Sequence, residues 1–211
     1  MKKMYLIMTL CMIMVSCKPD GGNGRHEDHE YVDLGLSVKW ATCNIGASSP
    51  EEYGDYFAWG ETSTKEKYYD ENCSTYELSI SELQSQGYID SNNGNLTAQH
   101  DAATANWGGD WRMPAEAEYN ELLNNCTWEW TTQNGVNGYK VTGPNGNSIF
   151  LPAAGDRYWS SLVNAGIVGN YWSSTPNGYD DYAYYLVFCS SNRSMISSRR
   201  NGGQSVRPVI E

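Results

Sequence analysis

From residue 31 onward, apolar and polar positions alternate in short stretches. Tyr31-Val32-Asp33-Leu34-Gly35 and Val38-Lys39-Trp40-Ala41-Thr42-Cys43 predict two short strands at the start of a domain. Residues 53–60 (YGDYFAWG) are aromatic and bounded by glycine, which predicts an ordered loop or an irregular strand. Residues 62–97 are polar and read as a surface insertion, with a short helix near 79–86. Residues 98–106 carry alanine at four positions, a helical composition, and Gly108-Gly109 ends that stretch. The clearest helix follows Pro114. Glu116 and Glu118 suit the positive end of its dipole, and Tyr119, Leu122, Leu123 and Cys126 fall on one stripe. Strand-like stretches at 127–132, 138–142 and 148–152 follow. Turn residues Gln133-Asn134-Gly135 and Pro144-Asn145-Gly146-Asn147 separate them. Further strands are predicted at 171–175, 183–189 and 205–210. Strands, then helices, then many short strands with long loops make an α+β plan.

The N-terminus has a different pattern. Lys2 and Lys3 precede an apolar run over residues 4–15, too short to span a bilayer as a stable helix. It ends Met14-Val15-Ser16-Cys17, which resembles a bacterial lipobox. The resemblance implies a signal peptide over 1–16 and lipidation of Cys17. The expected site is the bacterial outer membrane, at the cell surface or on its periplasmic face, held by lipid alone. Residues 17–30 are polar and glycine-containing and read as a flexible tether, leaving 31–211 as the domain. His26-Glu27-Asp28-His29-Glu30 reads as a solvated charge run, since a water-exposed tether offers no organised second shell for a metal.

Composition narrows the function. The net charge of −11 argues against nucleic-acid binding, which needs a basic face. Aromatics reach 13 %, mostly the 16 Tyr and 8 Trp, so the chain can build a packed core. Cys43, Cys73, Cys126 and Cys189 form no CxxC, which disfavours a zinc cluster. Two disulfides in any of three pairings, or single thiols, remain open. No cofactor or metal is expected. Asp90-Ser91-Asn92-Asn93-Gly94-Asn95 is calcium-like in composition but lacks the spacing and final Glu of a calcium loop.

Trp111-Arg112-Met113-Pro114-Ala115-Glu116-Ala117-Glu118-Tyr119 resembles the helix-opening segment of the Fibrobacter-type major paralogous domain of bacterial surface lipoproteins. It is also similar to the related segment of formylglycine-generating enzymes. Ala115 replaces the usual Ser or Thr, a loss of about 1 kcal/mol of capping. The blocks at 31–46, 53–61, 151–155, 171–174 and 205–209 resemble that domain as well, so the likeness runs over most of 31–210. It implies a C-type-lectin-like (formylglycine-generating-enzyme-like) fold: two helices, small twisted antiparallel sheets with paired terminal strands, and long loops.

The last third resembles the tails that diversity-generating retroelements rewrite at adenines. The frame there is Tyr171-Trp172-Ser173-Ser174, then Ala183, Leu186, Phe188 and Ser190, then Arg200, Gly203 and Ser205-Val206-Arg207-Pro208-Val209. Between these positions lie residues whose codons arise from AAC or AAT by changing adenines, Met195 and Gln204 excepted. Tyr179, Asp180, Tyr182, Tyr184, Ser191, Arg193, Ser197, Arg199 and Asn201 are the candidate ligand-binding residues. Tyr offers a stiff amphipathic face and Ser and Asn offer adaptable hydrogen bonds, as in paratopes. Arg193 and Arg199, if exposed, favour a carboxylate-bearing partner. Arg200 and Arg207 are expected in structural ion pairs, and Trp172, Leu186, Val187 and Phe188 in packing.

The expected role is recognition of a protein or glycan on another cell, phage or host surface. The alternatives are a lectin with one fixed carbohydrate and an envelope protein with no ligand. Catalysis is disfavoured: formylglycine-generating chemistry needs a pair of nearby C-terminal cysteines, and Cys189 stands alone there.

Overall fold

The computed structural model describes residues 22–211; the leader, Cys17 and the start of the expected tether lie outside the described residues. Strand β1 (Gly24–His26) turns through Glu27 and Asp28, both at positive φ, into β2 (His29–Val32). β2 pairs antiparallel with β3 (Lys39–Ala41). After a 3-10 turn at Asp70–Asn72 come helices α1 (Ile80–Ser85), α2 (Ala102–Trp107) and α3 (Glu116–Asn125). A meander follows: β4 (Thr127–Gln133), β5 (Val136–Thr142) and β6 (Ser148–Pro152). A small hairpin, β7 (Asp156–Tyr158) and β8 (Ser161–Val163), precedes the sheet ordered β11-β10-β9. Its strands are β9 (Val168–Pro176), β10 (Tyr182–Cys189) and β11 (Asn192–Arg199). The last strand, β12 (Val209–Ile210), returns to pair with β3, so the two ends of the domain lie side by side. The architecture is α+β, with three helices, small antiparallel sheets and strands predominating. No helix among the described residues is long and apolar enough to cross a membrane.

Local chemistry accounts for the helices. Ser79 caps α1 and Glu82 reaches back to the Ser79 amide, a complete capping box. In α3 only half of that device exists. Ala115 offers no side-chain acceptor, but Glu118 takes the Ala115 amide at 2.7 Å. Arg112 grips the same Glu118 through both guanidinium nitrogens, at 2.8 and 2.6 Å. Tyr119 and Leu122 are buried from that helix, as the stripe predicts, and Leu123 and Cys126 are partly buried. The β4–β5 turn uses Asn134 and Gly135 at φ of 48 and 85, the geometry an Asn-Gly pair favours.

Two cores hold these pieces. The first joins α3, the meander and one side of the β9–β11 sheet through Trp40, Tyr119, Val141, Leu151, Tyr171 and Phe188. Gly169 lies opposite Phe188 in the ladder, and a Cβ there would fall 2.1 Å from the Phe188 ring. The second core joins Ile45, Phe57, Trp59, Leu83, Trp172 and Ala183.

Four readings of the sequence change. Three α-helices are present among the described residues where the family resemblance implies two. Residues 62–97 are not a mere surface insertion. Leu83, Ile89 and Leu96 help close the second core, and Tyr68 and Cys73 pack with Tyr56. The predicted strand at 205–210 is reduced to Val209–Ile210, with single bridges elsewhere. Residues 24–30, read as tether, form the β1–β2 hairpin instead. That hairpin is held by side chains distant in sequence. His29 stacks on Trp107 at 3.7 Å with rings nearly parallel, and the Trp111 indole donates to the His26 carbonyl at 3.1 Å.

This docking has a pH dependence. Burial against Trp107 pushes His29 below its ordinary value, with Asp28 opposing the shift and Arg25 adding to it. The unfolded hairpin therefore takes the proton first as pH falls. The stability His29 contributes is present above about pH 6.5 and is lost as pH drops through the folded value. Amide protection factors over β1 and β2, corrected for the intrinsic pH dependence of exchange, are expected to be lower at pH 5 than at pH 7.5, and a His29→Phe chain to show no such difference.

Candidate functional site

β10 and β11 run in unbroken register. Tyr182 faces Arg199, Tyr184 faces Ser197, Leu186 faces Met195 and Phe188 faces Arg193. Of the residues assigned to packing, Trp172, Leu186 and Phe188 are buried, and Val187 is only half-buried. The frame residues Ala183, Arg200, Gly203, Ser205 and Val206 are buried too, whereas Ser190 is exposed. The candidate binding residues lie on the other side of this division. Tyr179 is 75 % exposed, Asp180, Ser191, Arg193 and Arg199 are exposed, and Tyr182, Tyr184, Ser197 and Asn201 are half-buried.

The nine do not form one cluster. Tyr182, Tyr184, Ser197 and Arg199 share the open end of the β10–β11 hairpin, next to the loop carrying Tyr179 and Asp180. Ser191 and Arg193 sit at the turn end. Six residues of strand separate Arg193 from Arg199, about 20 Å. A single small ligand cannot span both ends; an extended or macromolecular one can.

The arginines depart from expectation. Arg199 is tied to Asp70 at 3.0 Å, and Tyr182 and Asp70 together hold it charged. Arg193 lies 5.5 Å from the Trp128 ring and makes no carboxylate contact among the described residues. Arg200 and Arg207 are structural, but not as ion pairs. Arg200 donates to the carbonyls of Thr75, Leu78 and Tyr182 and lies over Trp59. Arg207 donates to the carbonyls of Ala41, Thr42 and Phe150 and to the Asn44 amide oxygen. Carbonyl dipoles take the place of carboxylates.

Among the described residues Cys43, Cys73, Cys126 and Cys189 form no disulfide. Burial pushes the Cys126 thiol up to about 11. The Cys189 thiol is lowered, chiefly by the Ser191 hydroxyl and then by the backbone amides of the turn. Among the described residues no group of three His, Cys, Asp or Glu side chains could hold a metal ion. Asp90 spends its carboxylate on the amides of Asn92 and Asn93.

Sequence reasoning missed the most exposed aromatic pair. Tyr158 and Trp159, at the tip of β7–β8, are 59 % and 55 % exposed. The signal was present: Tyr158-Trp159-Ser160-Ser161 repeats the tetrapeptide Tyr171-Trp172-Ser173-Ser174. The second copy is buried and the first faces water.

Searches of family models, curated proteins and solved structures return no match to this chain.

Proposed function

We propose that this protein is a lipid-anchored bacterial surface protein whose C-type-lectin-like domain recognises a protein or glycan on another cell, phage or host surface. The signal peptide and Cys17 deliver and anchor it at the outer membrane. The residues that do the recognising are Tyr179, Asp180, Tyr182, Tyr184, Ser197, Arg199 and Asn201, with Ser191 and Arg193 as a second contact at the hairpin turn. No catalytic step or cofactor is assigned.

One observation carries the reading. The frame positions between residues 171 and 209, Ser190 excepted, are those that pack, and the candidate binding positions between them are exposed or half-buried. Such a segment can change its surface while its fold persists, which is what a diversified binding face requires. The return of the last strand to the N-terminal sheet, beside β3, supports the fold assignment.

Two measurements test it. The neighbouring DNA should hold a reverse-transcriptase gene and a near-copy of codons 171–211 differing at adenines; without both, the diversification part falls. The second compares the full chain with its Tyr182→Ala, Tyr184→Ala, Arg199→Ala variant on bacterial cells, phage particles and a glycan array. Binding to any retained partner should weaken at least tenfold while the melting temperature moves by a few degrees. The exposed Arg199–Asp70 pair adds little stability. A drop of about 10 °C would make these core residues and misplace the site.

A further inference from the structure

We infer a second recognition element outside the β10–β11 surface: Tyr158 and Trp159 form a platform for the apolar face of a sugar ring in a surface polysaccharide. The inference stands on the β7–β8 hairpin alone and does not depend on the reading of the C-terminal segment.

Three observations converge there. First, the two rings stack at 5.6 Å with an interplanar angle of 16°, and Tyr69 closes on Trp159 at 5.8 Å. More than half of each of Tyr158 and Trp159 stays in water, although both could bury large apolar area elsewhere. Second, the backbone is strained to hold them. Tyr158 pairs with Ser161, so Trp159 and Ser160 make a two-residue turn, and Trp159 sits at φ +57. That left-handed position suits Asn or Gly and disfavours a bulky side chain. The Trp159 carbonyl accepts the Tyr68 amide at 2.9 Å, which fixes the tip against the body. Strain retained at an exposed aromatic, where a better turn residue is available, marks a role other than stability. Third, a cleft of about 640 Å³ adjoins the tip. Arg157 and Ser160 line it from the hairpin, and Asp55, Lys65 and Lys67 from the opposite wall.

The chemistry of the three parts selects the ligand class. An electron-rich ring face attracts the polarised C–H groups on one side of a pyranose. The hydroxyls on its edges need donors and acceptors, and the cleft supplies both signs of charge within one wall-to-wall space. A protein partner would be served by a continuous apolar patch; Leu162 and Ile167 are exposed close by in sequence, but the cleft that adjoins the rings is lined mainly by polar and charged side chains. A nucleobase could stack equally well, but its phosphates would meet a chain of net charge −11.

The test is affinity electrophoresis of the full chain in detergent, through native gels containing mannan, xylan, mixed-linkage β-glucan or glycol chitin. Wild type should be retarded by at least one polymer, and Trp159→Ala and Tyr158→Ala should lose at least tenfold of that affinity. Trp159→Asn is the sharper variant. It should also lose retardation, yet melt a few degrees higher, because Asn accepts the left-handed backbone. Gln84→Ala, at an exposed position of α1 outside both surfaces, should be retarded like wild type. Absence of retardation in all four gels overturns the inference, as does retention of a single-stranded oligonucleotide in their place. So does a Trp159→Asn chain that binds normally or melts several degrees lower. Loss of retardation in a Tyr182→Ala, Tyr184→Ala chain would move sugar binding to the β10–β11 surface.

Discussion

Replacing Arg207 by Ala is expected to lower the melting temperature by about 10 °C or more. Arg207 is fully buried, and its five-donor fork joins three separate parts of the chain. One nitrogen meets the Asn44 amide at 2.9 Å, another the carbonyls of Ala41 and Thr42 at 3.0 and 2.6 Å, and the third the Phe150 carbonyl at 3.0 Å. These acceptors lie at the end of β3, in the loop after it, and in β6. Removing the fork strands buried acceptors and opens a cavity, a loss of about 3–5 kcal/mol by analogy with broken buried charge contacts. For a domain of this size each kcal/mol shifts the midpoint by about 2–4 °C. Arg207→Lys should recover only part of this, because a single ammonium cannot reach Asn44 on one side and Phe150 on the other. Arg207→Met restores volume without donors. It should therefore melt close to the Ala variant, and a Met variant as stable as wild type would show that the carbonyl contacts contribute nothing net.

Arg207 also shows what a sequence can and cannot tell. Its place in the Ser-Val-Arg-Pro-Val block points to a structural role, and burial agrees. The expected partner, a carboxylate, is absent because the acceptors are the Asn44 side chain and backbone carbonyls of distant segments, which no local pattern encodes. The same division runs through the fold. Helix α3 was legible because Pro114, the early acids and the apolar stripe all act within one element. α1 was expected only as a short helix near 79–86, and its capping pair emerges with the structure, whereas the β4–β5 turn was legible from Asn-Gly. By contrast β11 (NRSMISSR) carries no alternation, because it is an edge strand whose one strong packing residue is Met195. The β1–β2 hairpin is polar up to Tyr31 and Val32, and its polar part gains order from Trp107 and Trp111.

The repeated tetrapeptide makes the point most directly. Tyr171 and Trp172 are fully buried in β9, with the Tyr171 hydroxyl on the Pro152 carbonyl and the Trp172 indole on the Phe57 carbonyl. Tyr158 and Trp159, followed by the same two serines, stand in water. Identical local chemistry meets opposite surroundings, so only the tertiary structure separates a core strand from a binding tip. The candidate surface was legible for a different reason: a buried frame imposes a spacing, and the positions between frame residues inherit exposure from it.

Asp101→Ala is expected to have the second largest effect, a fall of about 5–12 °C. Asp101 is 3 % exposed and satisfies three backbone amides. Its Oδ1 caps α2 by accepting from Ala103 at 2.8 Å and Thr104 at 3.0 Å. Its Oδ2 accepts from Met113 at 2.8 Å, beside the point where Arg112 bridges to Val209 and so ties the last strand down. Losing the cap costs about 1 kcal/mol, and leaving the Met113 amide unsatisfied adds about 1–3 kcal/mol. Asp101→Asn divides the two roles. Its carbonyl oxygen can keep the cap, but its amide then points a donor at the Met113 N–H. The Asn variant should fall about half as far as Ala, with amide exchange accelerated at Met113 and not at Thr104. Equal losses in the two variants, or faster exchange at Thr104 alone, would mean that the cap is the whole contribution and that the link from α2 to the terminal strand carries no weight.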